Sequence, residues 1–188
     1  GKALGTWGDV GCFSFFGNKN LTTAEGGMLV TDNPEIAEKV RVLRSHGMTT
    51  LTWDRFKGHA STYDVVAQGY NYRMDELRSA LGREQLKRIP SGNARRGELV
   101  RLYRDLLARE VPSICVPFVE ERCQSSYHIM PVLLPKGADK HAFMEGMKAQ
   151  GIQTSWHYPP VHRFSIYQQA YASRPNPLPV TDEVAQRE

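Results

Sequence analysis

The 188-residue sequence predicts an α/β fold built in two parts. Three observations carry that reading. Two short apolar runs, residues 10–16 and 28–30, flank a polar turn with one lysine, Lys19, and read as strands. Two long segments with apolar residues at helical spacing follow, from Tyr70 toward Pro90 and from about Ala94 to Arg109. The chain then alternates strand, helix and strand over residues 127–156, the pattern of a small separate α/β unit.

Between the lysine hairpin and the long helices lies a well-punctuated short helix. Asn33 can cap it, Pro34 suits the first helical position, and Glu35 complements the positive end of the dipole. Ile36, Val40 and Leu43 form an apolar face, which predicts a surface helix covering a sheet; Arg41, Arg44 and His46 enrich its end, and Gly47 stops it. Residues 48–69 are polar and aromatic without a sustained period, which predicts a long loop, either functional or badly ordered. The next helix carries Leu77, Ala80 and Leu81 on one side, and Pro90 is expected to break or kink it. Leu99, Leu102, Tyr103, Leu106 and Leu107 stripe the one after, which Pro112 stops.

Residues 127–134 read as a strand, at an edge because of Pro131. Asp139 caps a helix through Gln150, with Phe143 and Met147 facing inward and Gly151 as the stop. A strand over 152–156 leads into His157-Tyr158-Pro159-Pro160. No internal repeat or low-complexity segment is present.

The composition, 40% hydrophobic and 23% charged, suits one sizeable globular domain or two small ones. No apolar run is long enough to span a bilayer. The net charge of +4 is mild, and no long basic run interleaved with aromatics points to nucleic acid. Cys12, Cys115 and Cys123 are odd in number and far apart, so they suit neither a disulfide framework nor a metal site and point to a reducing cytoplasm. The chain enters at Gly1 in what reads as mid-domain sequence and ends in what reads as the start of a helix, so a piece of a longer chain is expected.

Lys19 has two readings. One is a solvated surface amine. The other is a nucleophilic amine that forms a Schiff base with an aldehyde cofactor. Ser14, five residues earlier and near the strand end, could donate its hydroxyl to a cofactor phosphate, and Gly17, Gly26 and Gly27 let backbone come close to a bulky ligand.

The full string favours the second reading. Read as G-D-V-x-x-F-S-F-x-x-x-K-x-L-T-T-x-E-G-G over residues 8–27, it resembles the lysine segment of the DegT/DnrJ/EryC1/StrS family of pyridoxal-phosphate sugar aminotransferases. Arg44-Ser45-His46-Gly47, Gly69-Tyr70-Asn71-Tyr72-Arg73-Met74 and Ser155-Trp156-His157-Tyr158-Pro159-Pro160-Val161-His162 resemble further family landmarks, in family order. The resemblance implies the type I aminotransferase fold: a large domain with a mostly parallel sheet, a small C-terminal domain, and an obligate homodimer with shared active sites. Residues 1–90 would then be the C-terminal part of the large domain, and residues 91–188 a bridging helix and the small domain.

Residue by residue, Lys19 matches the Schiff-base lysine, which also shuttles a proton, and Ser14 matches a serine that binds the cofactor phosphate. Asn71 matches an asparagine that reaches across the dimer to the phosphate held by the other subunit. His157 and Tyr158 fall where the family lines its sugar-nucleotide pocket. Each also has a plainer reading: a backbone-satisfied strand-end serine, a turn asparagine, and a structural His-Tyr-Pro-Pro turn. His46 and Arg73 read as capping and pairing residues, and Glu25 as either a support of the glycine turn or a pocket residue. Ala24 stands where the family often has glycine. The family's cofactor-ring aspartate, stacking aromatic and first phosphate-binding glycine turn belong to an N-terminal half absent from these residues.

The function implied is transfer of an amino group, typically from glutamate, to a nucleotide-linked keto-deoxysugar, with pyridoxal 5′-phosphate as cofactor and no metal. Its product would serve lipopolysaccharide, other surface glycans or glycosylated natural products. A sugar dehydratase of the same family is the nearer alternative, but the resemblance implies histidine in place of the lysine there, so Lys19 argues against it. A non-catalytic remnant or regulatory relative is the other.

Overall fold

The structure, a computed structural model, describes residues 1–50, 58, 62–120, 122–172 and 177–188. It divides into two units, residues 1–93 and 94–188.

In the first unit, strand β1 (Gly11–Ser14) pairs antiparallel with β2 (Gly27–Val30), with Gly11 opposite Val30 and Ser14 opposite Gly27. The Phe15 N–H donates to the Gly26 carbonyl at 2.9 Å, carrying the pairing one step into the lysine turn. Both expected strands are therefore present, as one hairpin. Helix α1 (Pro34–Leu43) begins as expected: the Asn33 carboxamide oxygen accepts from the Glu35 and Ile36 N–H groups at 2.9 and 3.3 Å. Gly47, at φ +73°, returns its N–H to the Val42 carbonyl at 3.0 Å, so the chain turns sharply out of the helix. Isolated antiparallel bridges pair Ser45 with Asn71 and Met48 with Val65. The middle of the expected 48–69 loop, residues 51–57 and 59–61, lies outside the described residues.

Helix α2 (Glu76–Glu110) corrects the expectation of two helices separated at Pro90. It is one helix of 35 residues with Pro90 inside, which at 1.5 Å per residue is roughly 50 Å long. Proline withholds the N–H that would reach the Leu86 carbonyl and crowds that carbonyl with its ring, but its fixed φ is already helical. The flanks favour helix: Glu84 pairs with Lys87 at 2.6 Å and Arg95 with Glu98 at 2.8 Å, each one turn apart. Ser91 Oγ also donates to the Arg88 carbonyl at 3.1 Å. Of this helix only Gly97 and Val100 are buried; Leu77 is 85% exposed, so its expected apolar side is open.

In the second unit, helix α3 (Lys140–Ala149) is capped by Asp139, whose side chain accepts from the Ala142 N–H at 3.0 Å, and Gly151 follows at φ +76°. The strands expected over 127–134 and 152–156 do not form as ladders. Residues 127–134 make a single bridge, Cys115 with Leu133, through two bonds of 2.9 and 2.8 Å. The next amide, that of Leu134, donates to the Arg187 carbonyl at 2.8 Å. Pro131 has no N–H to offer, so a longer ladder is interrupted at that point. A short 3₁₀ turn (Val161–Arg163) leads to α4 (Ser165–Ala170) and then α5 (Pro179–Arg187). Met48, Val100 and Leu134 are the buried apolar side chains among the described residues. No helix among them is long and apolar enough to cross a membrane.

Candidate active site

The lysine turn is closed at its base by backbone and threonine contacts. The Phe15 carbonyl accepts from the Thr23 N–H at 2.9 Å and from Thr22 Oγ1 at 3.3 Å. Thr23, which is buried, donates its hydroxyl to the Glu25 carbonyl at 2.7 Å. Glu25 thus supports the glycine turn through its backbone. Ala24 sits at φ +66°, held by its N–H to Thr22 Oγ1 at 3.0 Å. That left-handed conformation explains why glycine suits the position.

Lys19 is anchored by its N–H to the Phe16 carbonyl at 3.0 Å. Its side chain is half-buried, and among the described residues its Nζ makes no hydrogen bond or ion pair. Ser14 Oγ accepts from the Phe16 N–H at 3.3 Å. An accepting hydroxyl keeps its own hydrogen free to donate, as a phosphate oxygen requires. Ser14 and Lys19 are therefore both carried by the strand end and the turn that follows it.

The hairpin rests on the segment before α2 and on its first half. Asn20 Nδ2 donates to Asn93 Oδ1 at 3.0 Å. A Cβ on Gly82 would lie 3.0 Å from Thr23 Cγ2, and one on Gly26 would lie 3.0 Å from Met74 Cε and collide with Thr23 Oγ1. Glycine at these positions lets the lysine turn lie against that surface.

Asn71 lies three residues before Met74. Its bridge to Ser45 brings the Arg44–Gly47 and Gly69–Arg73 landmarks into one cluster, with the His46 N–H on the Tyr70 carbonyl at 2.9 Å and the Tyr72 N–H on the Arg44 carbonyl at 3.0 Å. Arg73 Nε donates to Asn71 Oδ1 at 3.2 Å, and Arg73 Nη2 lies 3.4 Å from His46 Nε2. With its oxygen occupied, the Asn71 carboxamide presents its NH₂, the donor end suited to an anion. His46 and Arg73 act as the pairing residues expected. These donors, with the unpaired amine of Lys19, fit an aldehyde cofactor carrying a phosphate.

His157 and Tyr158 lie in the second unit, exposed, with ring centroids 4.7 Å apart. His157 also lines a cavity of about 270 Å³ with Leu134, Phe143, Thr154 and Trp156. Lys140 Nζ stands 4.6 Å above the Trp156 ring centroid, and His141 meets that ring edge-on at 5.3 Å. Tyr158 holds φ +76°.

Sequence reasoning missed the Asn20–Asn93 bond and the ion cluster of His162, Arg163 and Asp182 described below. The first joins residues 73 positions apart, for which no local spacing is diagnostic. The second could have been sought from His162 and Arg163, which stand shortly after Pro159-Pro160.

The whole chain, residues 1–188, matches the family model described as the DegT/DnrJ/EryC1/StrS aminotransferase family. It is 34% identical over 183 residues to the spore coat polysaccharide biosynthesis protein SpsC of Bacillus subtilis, covering 95% of this chain and 47% of that protein. The structure is similar to Helicobacter pylori PseC, an aminotransferase involved in the biosynthesis of pseudoaminic acid, with a TM-score of 0.87 and 30% identity over 99% of this chain and 48% of that one. It is also similar to Spr1654 of Streptococcus pneumoniae, solved in PLP- and PMP-forms, with TM-scores of 0.77 and 0.78 and 28% identity over 90% of this chain and 43–44% of that one. The chain spans about half the length of the curated relatives it matches. Its two units are thus part of the type I aminotransferase fold of pyridoxal-phosphate enzymes, and the chain belongs to the DegT/DnrJ/EryC1/StrS aminotransferase family.

Proposed function

We propose that the protein containing this chain is a pyridoxal-phosphate-dependent aminotransferase that moves an amino group from glutamate to a nucleotide-linked keto-deoxysugar, for surface polysaccharide or natural-product sugar synthesis. One observation carries the reading: Lys19 is a half-buried residue whose Nζ is unpaired among the described residues, on a turn fixed at both ends, beside a serine whose hydroxyl hydrogen is free. An unpaired, held amine is what a nucleophile requires. Similarity to SpsC and PseC supports the substrate class.

In this reading residues 1–90 belong to the large domain, and residues 91–188 supply the bridging helix and the small domain. The cofactor, when bound, supplies an aldehyde that takes up the amino group and a ring that accepts electrons. The chain's own residues do the rest. Lys19 Nζ holds the cofactor and then takes and returns the substrate proton. Ser14 Oγ–H donates to the phosphate of its own subunit, and Asn71 Nδ2 donates to that of the other subunit in a homodimer with shared sites. His157 and Tyr158 bear on the sugar nucleotide. Three exposed free cysteines among the described residues fit a reducing compartment, the cytoplasm.

The test is reduction of the purified protein with borohydride after incubation with pyridoxal phosphate, followed by peptide mapping. A pyridoxyl group confined to Lys19, and lost in Lys19→Ala, is expected. In the full-length protein, labelling scattered over surface lysines, or none, would overturn the catalytic reading in favour of a non-catalytic relative.

A further inference from the structure

One carboxylate oxygen in the second unit gathers three nitrogens. Asp182 Oδ1 accepts from Arg163 Nε at 2.8 Å and lies 2.7 Å from Arg163 Nη2 and 3.1 Å from His162 Nε2. The Asp182 and His162 side chains are only 30% and 27% exposed, so this is not a fully solvated pair. The contact ties the 3₁₀ turn Val161–Arg163 to the first turn of α5, across 19 or 20 residues of sequence.

What lies on the other side of that turn is the candidate substrate pair. Tyr158, at φ +76°, occupies a conformation that side-chain-bearing residues rarely adopt and that persists only where surroundings enforce it. Its ring lies 4.7 Å from that of His157, centroid to centroid. Pro159 and Pro160 follow directly; each has a fixed φ, and Pro160 stands at −54° with its carbonyl accepting from the Arg163 N–H at 2.9 Å. Residues 158–163 therefore form a stiff arm whose far end is fastened.

We propose that Asp182 is a positioning residue: by clamping His162 and Arg163 it holds, through the Pro159-Pro160 arm, the left-handed Tyr158 and its neighbour His157 in the orientation that meets the sugar nucleotide. This rests on the reading of His157 and Tyr158 as substrate contacts. Asp182 touches no substrate in this scheme; it limits the conformations of residues that do.

Asp182→Asn and Asp182→Glu in the purified protein test it, with amide exchange at residues 157–164 measured without cofactor and affinity for UDP and dTDP measured by calorimetry. Asp182→Asn should speed exchange at Arg163 and Phe164, whose amides donate to the Pro160 and Val161 carbonyls, and weaken nucleotide binding roughly five- to tenfold, with the melting temperature nearly unchanged. Asp182→Glu, which keeps the charge, should restore most of both. Should Asp182→Asn fold poorly, Arg163→Gln is expected to shift the same readouts in the same direction by less. Unchanged exchange and affinity in Asp182→Asn, while His157→Ala weakens nucleotide binding, would overturn the clamp and leave the substrate reading standing. If wild-type protein binds neither nucleotide, or His157→Ala and Tyr158→Ala bind as well as wild type, the substrate reading fails and the clamp's purpose with it. A uniform loss of melting temperature that Asp182→Glu does not rescue would also overturn the proposal, since it marks a merely structural carboxylate.

Discussion

Gly47→Ala is expected to destabilise the protein by about 3 kcal/mol. The position is at φ +73°, where an L-residue with a Cβ is disfavoured by about 1–2 kcal/mol. The added methyl would also stand 2.7 Å from the Ala67 carbonyl carbon and 3.3 Å from its nitrogen, and would collide with its oxygen. These are backbone atoms, which cannot swing aside as a side-chain tip can, so an overpacking cost of about 1–3 kcal/mol adds to the strain. Gly69 meets the same crossing from the other side: a Cβ there would lie 2.6 Å from the His46 carbonyl carbon and 2.7 Å from the Leu43 oxygen. The two glycines let chains 43–47 and 67–72 touch, which is what seats Asn71 against Ser45. Urea unfolding of Gly47→Ala beside Gly146→Ala is the assay. Gly146 lies inside α3 with nothing within 4 Å of a built Cβ, so alanine there should stabilise by roughly 0.5–1 kcal/mol. A Gly47→Ala loss below about 0.5 kcal/mol would refute the close-approach argument.

Three more outcomes follow from the same contacts. Ala24→Gly should leave stability equal or raise it by up to about 1 kcal/mol, because it removes left-handed strain at φ +66° and costs only unfolded-state entropy; thermal melting reads it. Ser14→Ala should weaken retention of pyridoxal phosphate by about ten- to a hundredfold, the worth of one hydrogen bond to a charged group, read by absorbance titration, with melting of the unliganded protein little changed. Hydrogen bonding from Lys136, with Arg187 contributing less, holds the Glu183 carboxyl below its ordinary value. Its folded pKa is thus below its unfolded one, so the contribution is fully present above about 4.5, the unfolded value, and is lost as pH falls through the lowered one. A carbon-detected titration of Glu183 should show that low midpoint, and Lys136→Ala should move it upward.

What could be read from residues alone was whatever local chemistry dictates. Asn33 and Asp139 cap because a short side-chain oxygen reaches the second or third amide beyond it, and Gly47 and Gly151 end helices because positive φ suits glycine. Each of these is settled within a few residues. The lysine hairpin was readable for a similar reason, since its strands, turn and glycines lie within one unbroken string. The expected break at Pro90 did not occur because the flanks of α2 supply helix formers and ion pairs that carry the helix through it. The strand readings over 127–134 and 152–156 failed because apolar alternation specifies a face but not a partner row; the backbone of Leu133 and Leu134 bonds to Cys115 and Arg187, and the Ile152 N–H closes back on the Met147 carbonyl. Asn71 was visible as a residue, but its bond to Arg73 and bridge to Ser45 needed the fold.

The buried apolar side chains among the described residues are few, and that has a calorimetric consequence. Unfolding uncovers new apolar surface only where apolar surface was hidden, and the heat-capacity increment and denaturant slope both scale with that area. For residues 1–188 alone, both should fall short of the usual roughly 12–15 cal/mol/K per residue and of the denaturant slope expected for such a length. A shallow intrinsic transition leaves room for mass action: whatever binds the folded form contributes RT ln(1 + [L]/Kd), and the apparent melting temperature then tracks ligand and protein concentration. Thermal shift is consequently a sensitive instrument for this chain, able to rank cofactor analogues and nucleotides before any turnover is measured.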